Sequence, residues 1–376
     1  MTDAPVEGSV LRTAREAAGV GLREFARRTH WSAAYLSQIE RGLRPVTDDI
    51  ARAYTVALGT EPDAKPAGDP LRVAHEWLVA EPPPVEQLTS GRQVGTGLVA
   101  EMERRVVELR RLDDVVGGTN LHPIVRCDLE AARAVVNEGQ HAPDVRRRLL
   151  RVVGELSQLG GWVYADAGRY PQAQQVYLAG VTAATEAEDR PLAGQLLSTL
   201  SYMIANTGDP RDAGLLARSA LQGAGHDAPP IVRALLGERV AWAAAKYGDA
   251  GAAHRALDAV DDEFDRRTPE DEEPDWTYWF DRDEIDVMRA RCAVQLGDAA
   301  AAETLLSPIM KRYPADRQRE AALYRSWLAE AYARSGNADA ARSTLDQVRA
   351  HAAELGSVRL DQRVAELEAT LARRIA

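Results

Sequence analysis

Ser32-Ala33-Ala34-Tyr35-Leu36-Ser37-Gln38-Ile39-Glu40-Arg41-Gly42 is the stretch whose reading decides the fold. Ser32 can cap a helix with its hydroxyl, Leu36 and Ile39 form an i, i+3 apolar seam, and Gly42 supplies the left-handed residue that ends it. Ala33, Ala34, Ser37, Gln38 and Arg41 then point outward. These side chains are small or hydrogen-bonding, which is what a helix needs to lie close to base edges.

The flanks extend the pattern. Leu11, Ala14, Ala17 and Ala18 predict a first helix closed by Gly19, and Leu22, Phe25 and Ala26 predict a second ending near Thr29-His30. Thr47 or Asp48 caps a further helix carrying Ile50, Ala53, Tyr54, Ala57 and Leu58, which Gly59 closes. Several short helices with a tight turn before the third make a helix-turn-helix arrangement. Between Ser9 and Pro45 seven arginines face three glutamates, a local charge of +4, while the whole chain carries −11. A basic head on an acidic body suits a specific DNA binder and argues against a protein that coats nucleic acid along its length.

Leu11 to Leu58 resembles the Xre, or phage-repressor-like, family of DNA-binding domains, most specifically over Tyr35 to Gly42, where that family shows apolar-Ser-x-Ile-Glu-x-Gly. The resemblance implies that Ala33, Ala34 and Gln38 face bases, with Ser32, Tyr35 and Ser37 beside them and Arg41 and Arg44 near phosphates. Leu22 stands where the family often has a phosphate-contacting Gln. With alanine at two reading positions, specificity leans on Gln38, on thymine methyl contacts and on DNA shape. Glu40 reads as structural, holding Arg41 or a neighbouring turn.

At 376 residues the chain exceeds the usual single-domain size, and abundant alanine favours helices. Two cysteines, Cys127 and Cys292, are too few for a disulfide framework and lack CxxC spacing. The N-terminus has no signal-peptide pattern and no apolar run approaches membrane-spanning length, so a cytoplasmic protein is expected, with no membrane partner. Prolines at 62, 66, 70 and 82–84 predict a semi-rigid connector interrupted by one docking helix over 71–79, whose Trp77 either clamps the head or fills a local core.

Beyond the connector an internal repeat emerges. Gly168, Gly208, Gly248, Gly297 and Gly336 recur at separations of 40, 40, 49 and 39. Five residues after each comes alanine (Ala173, Ala213, Ala253, Ala302, Ala341), and seven before it a small residue (Gly161, Ser201, Ala241, Ala290, Ala329). The pattern is a helix, a glycine-centred turn and a second helix, with small residues where the two approach. It resembles tetratricopeptide repeats lengthened from their usual period. The resemblance implies an all-α chain in which a helix-turn-helix bundle precedes a right-handed superhelix, closed by a last helix around Leu360 to Ile375 whose Arg359, Arg363, Arg373 and Arg374 face water. The expected organisation is a tail 1–8, a helix-turn-helix domain 9–60, a linker 61–92 and a repeat domain 93–376, with clear repeats over about 150–376.

Six residues before each glycine stand Trp162, Tyr202, Trp242, Arg291 and Glu330, and two before it Asp166, Asn206, Lys246, Gln295 and Arg334. Four apart on one helix, the two sets share a face. Aromatic faces beside amides and charges suit an extended peptide or an amphipathic ligand, so Trp162, Asp166, Tyr202, Asn206, Trp242, Lys246, Arg291 and Gln295 are the candidate ligand residues, with Arg239 and Glu284 able to line the same channel. The alternative is that the aromatics pack repeats together and the polar set is solvated. The fourth interval is longer: Glu270 to Glu273 reads as a solvated acidic loop, and Trp276-Thr277-Tyr278-Trp279-Phe280 as core or groove wall.

Motifs for a phosphate loop, a zinc protease or a nucleophile elbow are missing, and the seven histidines are dispersed. No catalytic residues, metal or cofactor are expected. An Xre-like head on tetratricopeptide repeats resembles bacterial, notably actinobacterial, transcription regulators. The resemblance implies a homodimer on a palindromic operator in double-stranded DNA, responding to a peptide or small-molecule effector. The competing expectation is a DNA-bound adaptor whose repeats hold a protein partner constitutively.

Overall fold

Three short helices open the chain: α1 (Gly8–Ala17), α2 (Leu22–Arg28) and α3 (Ala33–Glu40). The computed structural model describes residues 8–17, 20–29, 31–47, 50, 53–54, 57, 72, 92–93, 95–114, 118–313, 318–355 and 358–375. The docking helix with Trp77, the closing residues Gly19 and Gly59, the side chains of Arg373 and Arg374 and most of the proline-rich connector lie outside the described residues. The chain divides into two units, Met1–Ala67 and Gly68–Ala376.

In the first unit Leu11, Phe25, Leu36, Ile39, Ile50 and Tyr54 meet in one core with no exposed surface. The apolar seam of α3 is therefore its packing face. Ser32 Oγ accepts from the amide of Tyr35 at 3.2 Å. Gly42 takes φ 70°, and its amide donates to the Ile39 carbonyl at 2.9 Å while that of Leu43 donates to Gln38 at 2.9 Å, so the last turn is closed by a residue that tolerates the left-handed region.

Glu40 is structural through a different partner from the one expected. Its carboxylate accepts from Arg15 Nε and Nη2 at 2.6 and 2.7 Å, and from the Tyr54 hydroxyl at 2.7 Å. Arg41 instead donates back to the Ser37 carbonyl at 3.1 Å. Arg15, buried and bidentate, thus spends its charge inside the bundle. A methyl group on Gly8 would fall 1.8 Å from the Ile39 carbonyl oxygen, so the first turn of α1 lies directly on the end of α3.

The second unit is a run of stacked helices: α4 (Thr96–Asp113), α5 (Gly118–Glu138), α6 (Pro143–Asp166), α7 (Tyr170–Glu186), α8 (Arg190–Thr207), α9 (Pro210–Ala224), α10 (Pro230–Lys246), α11 (Ala250–Asp265), α12 (Arg282–Leu296), α13 (Ala299–Arg312), α14 (Gln318–Ser335), α15 (Ala338–Leu355) and α16 (Val358–Ile375). The described fold is all-α apart from a two-residue parallel pairing of β1 (Arg92–Gln93) with β2 (Gly139–Gln140). Each helix packs on its sequence neighbour, and α6, α8, α10, α12 and α14 also touch in succession, forming an inner layer. A superhelix of stacked helical pairs follows from this arrangement.

The repeat positions explain the stacking. The five alanines after the turns are fully buried, and the small residues before them are buried too. At Gly161 a methyl would meet the Tyr177 ring at 2.3 Å, so glycine is what lets α7 approach α6. Gly168, Gly248, Gly297 and Gly336 take φ of 74°, 83°, 94° and 86°. Gly208 departs, with φ −135° and ψ −144°. After four of the turns the next residue caps the following helix, Asp209, Asp249, Asp298 and Asn337 each accepting from an amide two or three residues on.

Two long-range closures join segments far apart in the chain. The segment between α11 and α12 folds back onto α4: Tyr278 donates to Asp114 at 2.7 Å, and Asp275 pairs with Arg110 and Arg111 at 3.4 and 3.2 Å. At the other end α16 reaches α7 and α8, where the Tyr170 hydroxyl donates to Gln362 at 3.2 Å and Arg359 donates to the Tyr202 hydroxyl at 3.2 Å. This corrects the expectation that Arg359 and Arg363 face water. Arg363 is buried, pairs with Glu330, donates to Ser326 at 3.2 Å and lies 3.7 Å over the Trp327 ring.

Candidate functional site

The first unit presents the outer face of α3. Ala34, Arg41 and Arg44 are exposed, while Ala33, Tyr35, Ser37 and Gln38 are half-buried beside them, and Ser32 is exposed at the start of the helix. Arg44 Nε donates to Gln38 Oε1 at 2.7 Å, and its guanidinium lies 5.2 Å from the Tyr35 ring. Trp31 stacks on Tyr35 at 5.2 Å, a residue that sequence reasoning passed over although it sits immediately before the cap. Arg23 and Arg27 are exposed on α2, whereas Arg12 and Arg28 of the local basic set pair with Glu16 and Glu24. The chemistry available is one amide and two small side chains for base edges, with guanidinium groups beside them for phosphates.

The second unit holds a cavity of about 150 Å³ and, sharing part of its wall, a second compartment of about 140 Å³. Trp162, Asp166, Thr199, Tyr202, Arg291, Leu323 and Arg359 line both. Of the eight candidate ligand residues, Trp162, Asp166, Tyr202 and Arg291 line both compartments, and Asn206 and Lys246 line the smaller. Trp242 and Gln295 line neither. Trp242 is fully buried inside an aromatic ladder that runs Trp162, Tyr202, Trp242, Trp327, with centroids 6.3, 6.4 and 5.6 Å apart. Asn206 is held by its own helix, its amide donating to the Tyr202 carbonyl at 2.7 Å.

Arg239 and Glu284 line the larger compartment, as do Trp276, Tyr278 and Trp279. Trp276 and Phe280 also join the core, so the aromatic cluster serves as both core and wall, and Glu270, Glu272 and Glu273 are exposed. Trp327 is absent from the sequence-derived candidates, and Arg359 and Arg363, expected at the surface, line the smaller compartment instead. Trp327 lies three residues before Glu330 in the same inner helix and carried a weak signal, but nothing local could bring α16 to α8.

The electrostatics centre on Tyr202. Arg291 donates to its hydroxyl at 2.7 Å and Arg359 at 3.2 Å, and Arg239 lies 4.7 Å from its ring. Burial pushes the phenol up, but Arg291, Arg359 and Arg239 outweigh it and hold the group down at about 8. Across the cavity the opposite happens. Burial, opposed by the Tyr324 hydrogen bond and reinforced by Glu238, Glu320 and Asp281, pushes Glu284 up to about 8.

Residues 8–67 match the model of a helix-turn-helix domain family. The chain is similar to uncharacterized HTH-type transcriptional regulators from two strains of Mycobacterium tuberculosis, CDC 1551 / Oshkosh and ATCC 25618 / H37Rv, each 45% identical over 51 residues. The similarity covers 14% of this chain and about a third, 36%, of the length of each relative. No described helix is long and apolar enough to cross a membrane.

Proposed function

We propose that the protein is a sequence-specific, DNA-binding transcription regulator of the Xre type, whose second unit is a tetratricopeptide-like sensor of an effector. The observation that carries the reading is the outer face of α3, where Gln38, held by Arg44, stands between small side chains and exposed arginines. Such a face can enter a major groove, seat on phosphates and read an adenine or a thymine methyl. The matches to a helix-turn-helix domain and to HTH-type transcriptional regulators support it.

One recognition helix covers a half-site, so the regulator acts as a homodimer on a palindromic operator. Effector binding between the inner helices of the second unit shifts the dimer between binding-competent and incompetent arrangements. A small molecule fits better than an extended peptide, because α16 already lies against α7 and α8 at the cavity. Genome-wide mapping of bound DNA, followed by operator titrations of purified protein, tests the proposal. A shared palindrome at the mapped sites is the expected result; binding independent of sequence refutes it.

A further inference from the structure

We propose that the cavity of the second unit takes a small anion on a flat ring, an aromatic carboxylate or phosphate, with Arg291, Arg359 and Lys246 as its charge partners. The inference rests on the sensing reading above and names the ligand class for it.

The first observation is an excess of cations in the smaller compartment, where Lys246, Arg291, Arg359 and Arg363 face Asp166 and Glu366. Arg291 is only 6% exposed, yet neither it nor Arg359 nor Lys246 forms an ion pair among the described residues. Arg291 and Arg359 share one hydroxyl acceptor on Tyr202, and Lys246 is held by the face of Trp242 at 5.6 Å. Buried cations ordinarily carry a counter-charge, because the loss of hydration is large.

Asp166 lines both compartments and Glu238 and Glu320 the larger, but no carboxylate pairs with Arg291, Arg359 or Lys246 among the described residues. Glu330 takes Arg363 and Arg334, Glu366 takes Arg363, and Glu284 accepts from the hydroxyls of Tyr324 and Tyr313. Arg291 Nε is buried with no hydrogen-bond partner among the described residues, although its side chain lines both compartments. A carboxylate or phosphate placed there would satisfy that donor and accept from Arg359 in the forked geometry guanidinium favours.

The second observation is shape. The walls beside the cations are ring faces, Trp162 and Tyr202 among them, and Arg359 itself lies 5.1 Å from the Trp162 ring. A cavity of about 150 Å³ is large enough to hold a benzene ring. The two compartments, at about 150 and 140 Å³, therefore suit a ring in one and its acidic group at the shared arginines. Because Arg359 belongs to α16 while Arg291 belongs to α12, an anion bridging them fastens the last helix to the inner layer. This couples occupancy to the position of α16.

The test uses the full chain with benzoate and phenyl phosphate as probes, and benzylamine and benzyl alcohol as cationic and neutral controls. Tryptophan fluorescence and thermal melting report binding. The expected result is saturable binding of at least one anion, with a raised melting temperature and about tenfold or greater preference over both controls. Arg291→Met and Arg359→Met should each weaken the anion by about tenfold or more with the helical circular dichroism unchanged. Arg359→Met, at a half-buried position, keeps the test decisive should Arg291→Met fail to fold. Equal binding of benzylamine, no saturable binding of either anion, or wild-type anion affinity in Arg359→Met would overturn the proposal. Operator titration with and without the bound anion separates the two readings. An anion that binds but leaves operator affinity unmoved sinks the sensing role and keeps the site, whereas an operator response to cell extract without anion binding does the reverse.

Discussion

Arg44 donates to the side-chain oxygen of Gln38 across the outer face of α3, at 2.7 Å. Bidentate recognition of adenine needs both the oxygen and the nitrogen of a glutamine amide. In the proposed reading Arg44 hands over that oxygen when the helix meets DNA, and a phosphate is the natural acceptor for the guanidinium it frees. Gln38→Ala should cost about 1–3 kcal/mol at the cognate operator and little on random DNA. A double-mutant cycle with Arg44→Ala should be non-additive, and strict additivity in titrations would show that the contact has no part in reading.

Arg41 presents its guanidinium at the end of α3 and uses Nε only to return to the Ser37 carbonyl. Arg41→Ala should weaken cognate and random DNA alike and reduce the magnitude of the salt slope by about 1 in a plot of log affinity against log salt. A loss confined to the cognate site would reassign Arg41 to base reading.

The buried pair of Arg15 and Glu40 ties α1 to the last turn of α3. Removing one partner leaves a buried charge uncompensated, so Arg15→Met should destabilise the first unit by about 3–5 kcal/mol. Amide exchange over residues 8–47 should accelerate strongly while the helices of the second unit stay protected. Unchanged exchange there would mean that Glu40 finds water instead.

The turn glycines supply a contrast within one chain. Gly248→Ala places a methyl group at φ 83° and should cost about 1–2 kcal/mol, whereas Gly208→Ala, at φ −135°, should cost less. Gly161→Ala should be worse than Gly208→Ala for a different reason, since its methyl must displace the Tyr177 ring. Melting temperatures of the three variants give the order directly.

Glu284 provides a pH signature. Its folded carboxyl is pushed up to about 8, above the ordinary carboxylate value, so the native state holds a proton that the unfolded state has released. The stability it contributes is complete at acid pH and declines as pH rises toward 8. Glu284→Gln should flatten this decline and raise the melting temperature at pH 8 relative to wild type. A wild-type pH profile in the variant would place the ionisation elsewhere.

Much of the fold was legible because it rests on local rules. Ser32, Leu36, Ile39 and Gly42 announce the cap, buried seam and stop of α3, and each acts within one or two turns. The glycine-to-alanine spacing announces helical pairs, because close approach of two consecutive helices demands small side chains at fixed offsets. The shared face of Trp162 with Asp166 and of Tyr202 with Asn206 follows from helical periodicity alone. Periodicity could not say how much of that face stays open: Trp242 belongs to the same set and is sealed between Tyr202 and Trp327.

The sequence by itself thus determined the elements, their faces and which side chains of α3 point outward, since hydrogen-bonding reach and helix pitch are short-range. Tertiary structure alone decided who meets whom across the chain. Arg15 reaches Glu40 over 25 residues, Tyr278 reaches Asp114 over 164, and Arg359 reaches Tyr202 over 157. Each arginine in those contacts has the same local signature as one that faces water. The difference is the stacking of successive pairs, which carries α16 back to Tyr202, and it is this return that makes the cavity.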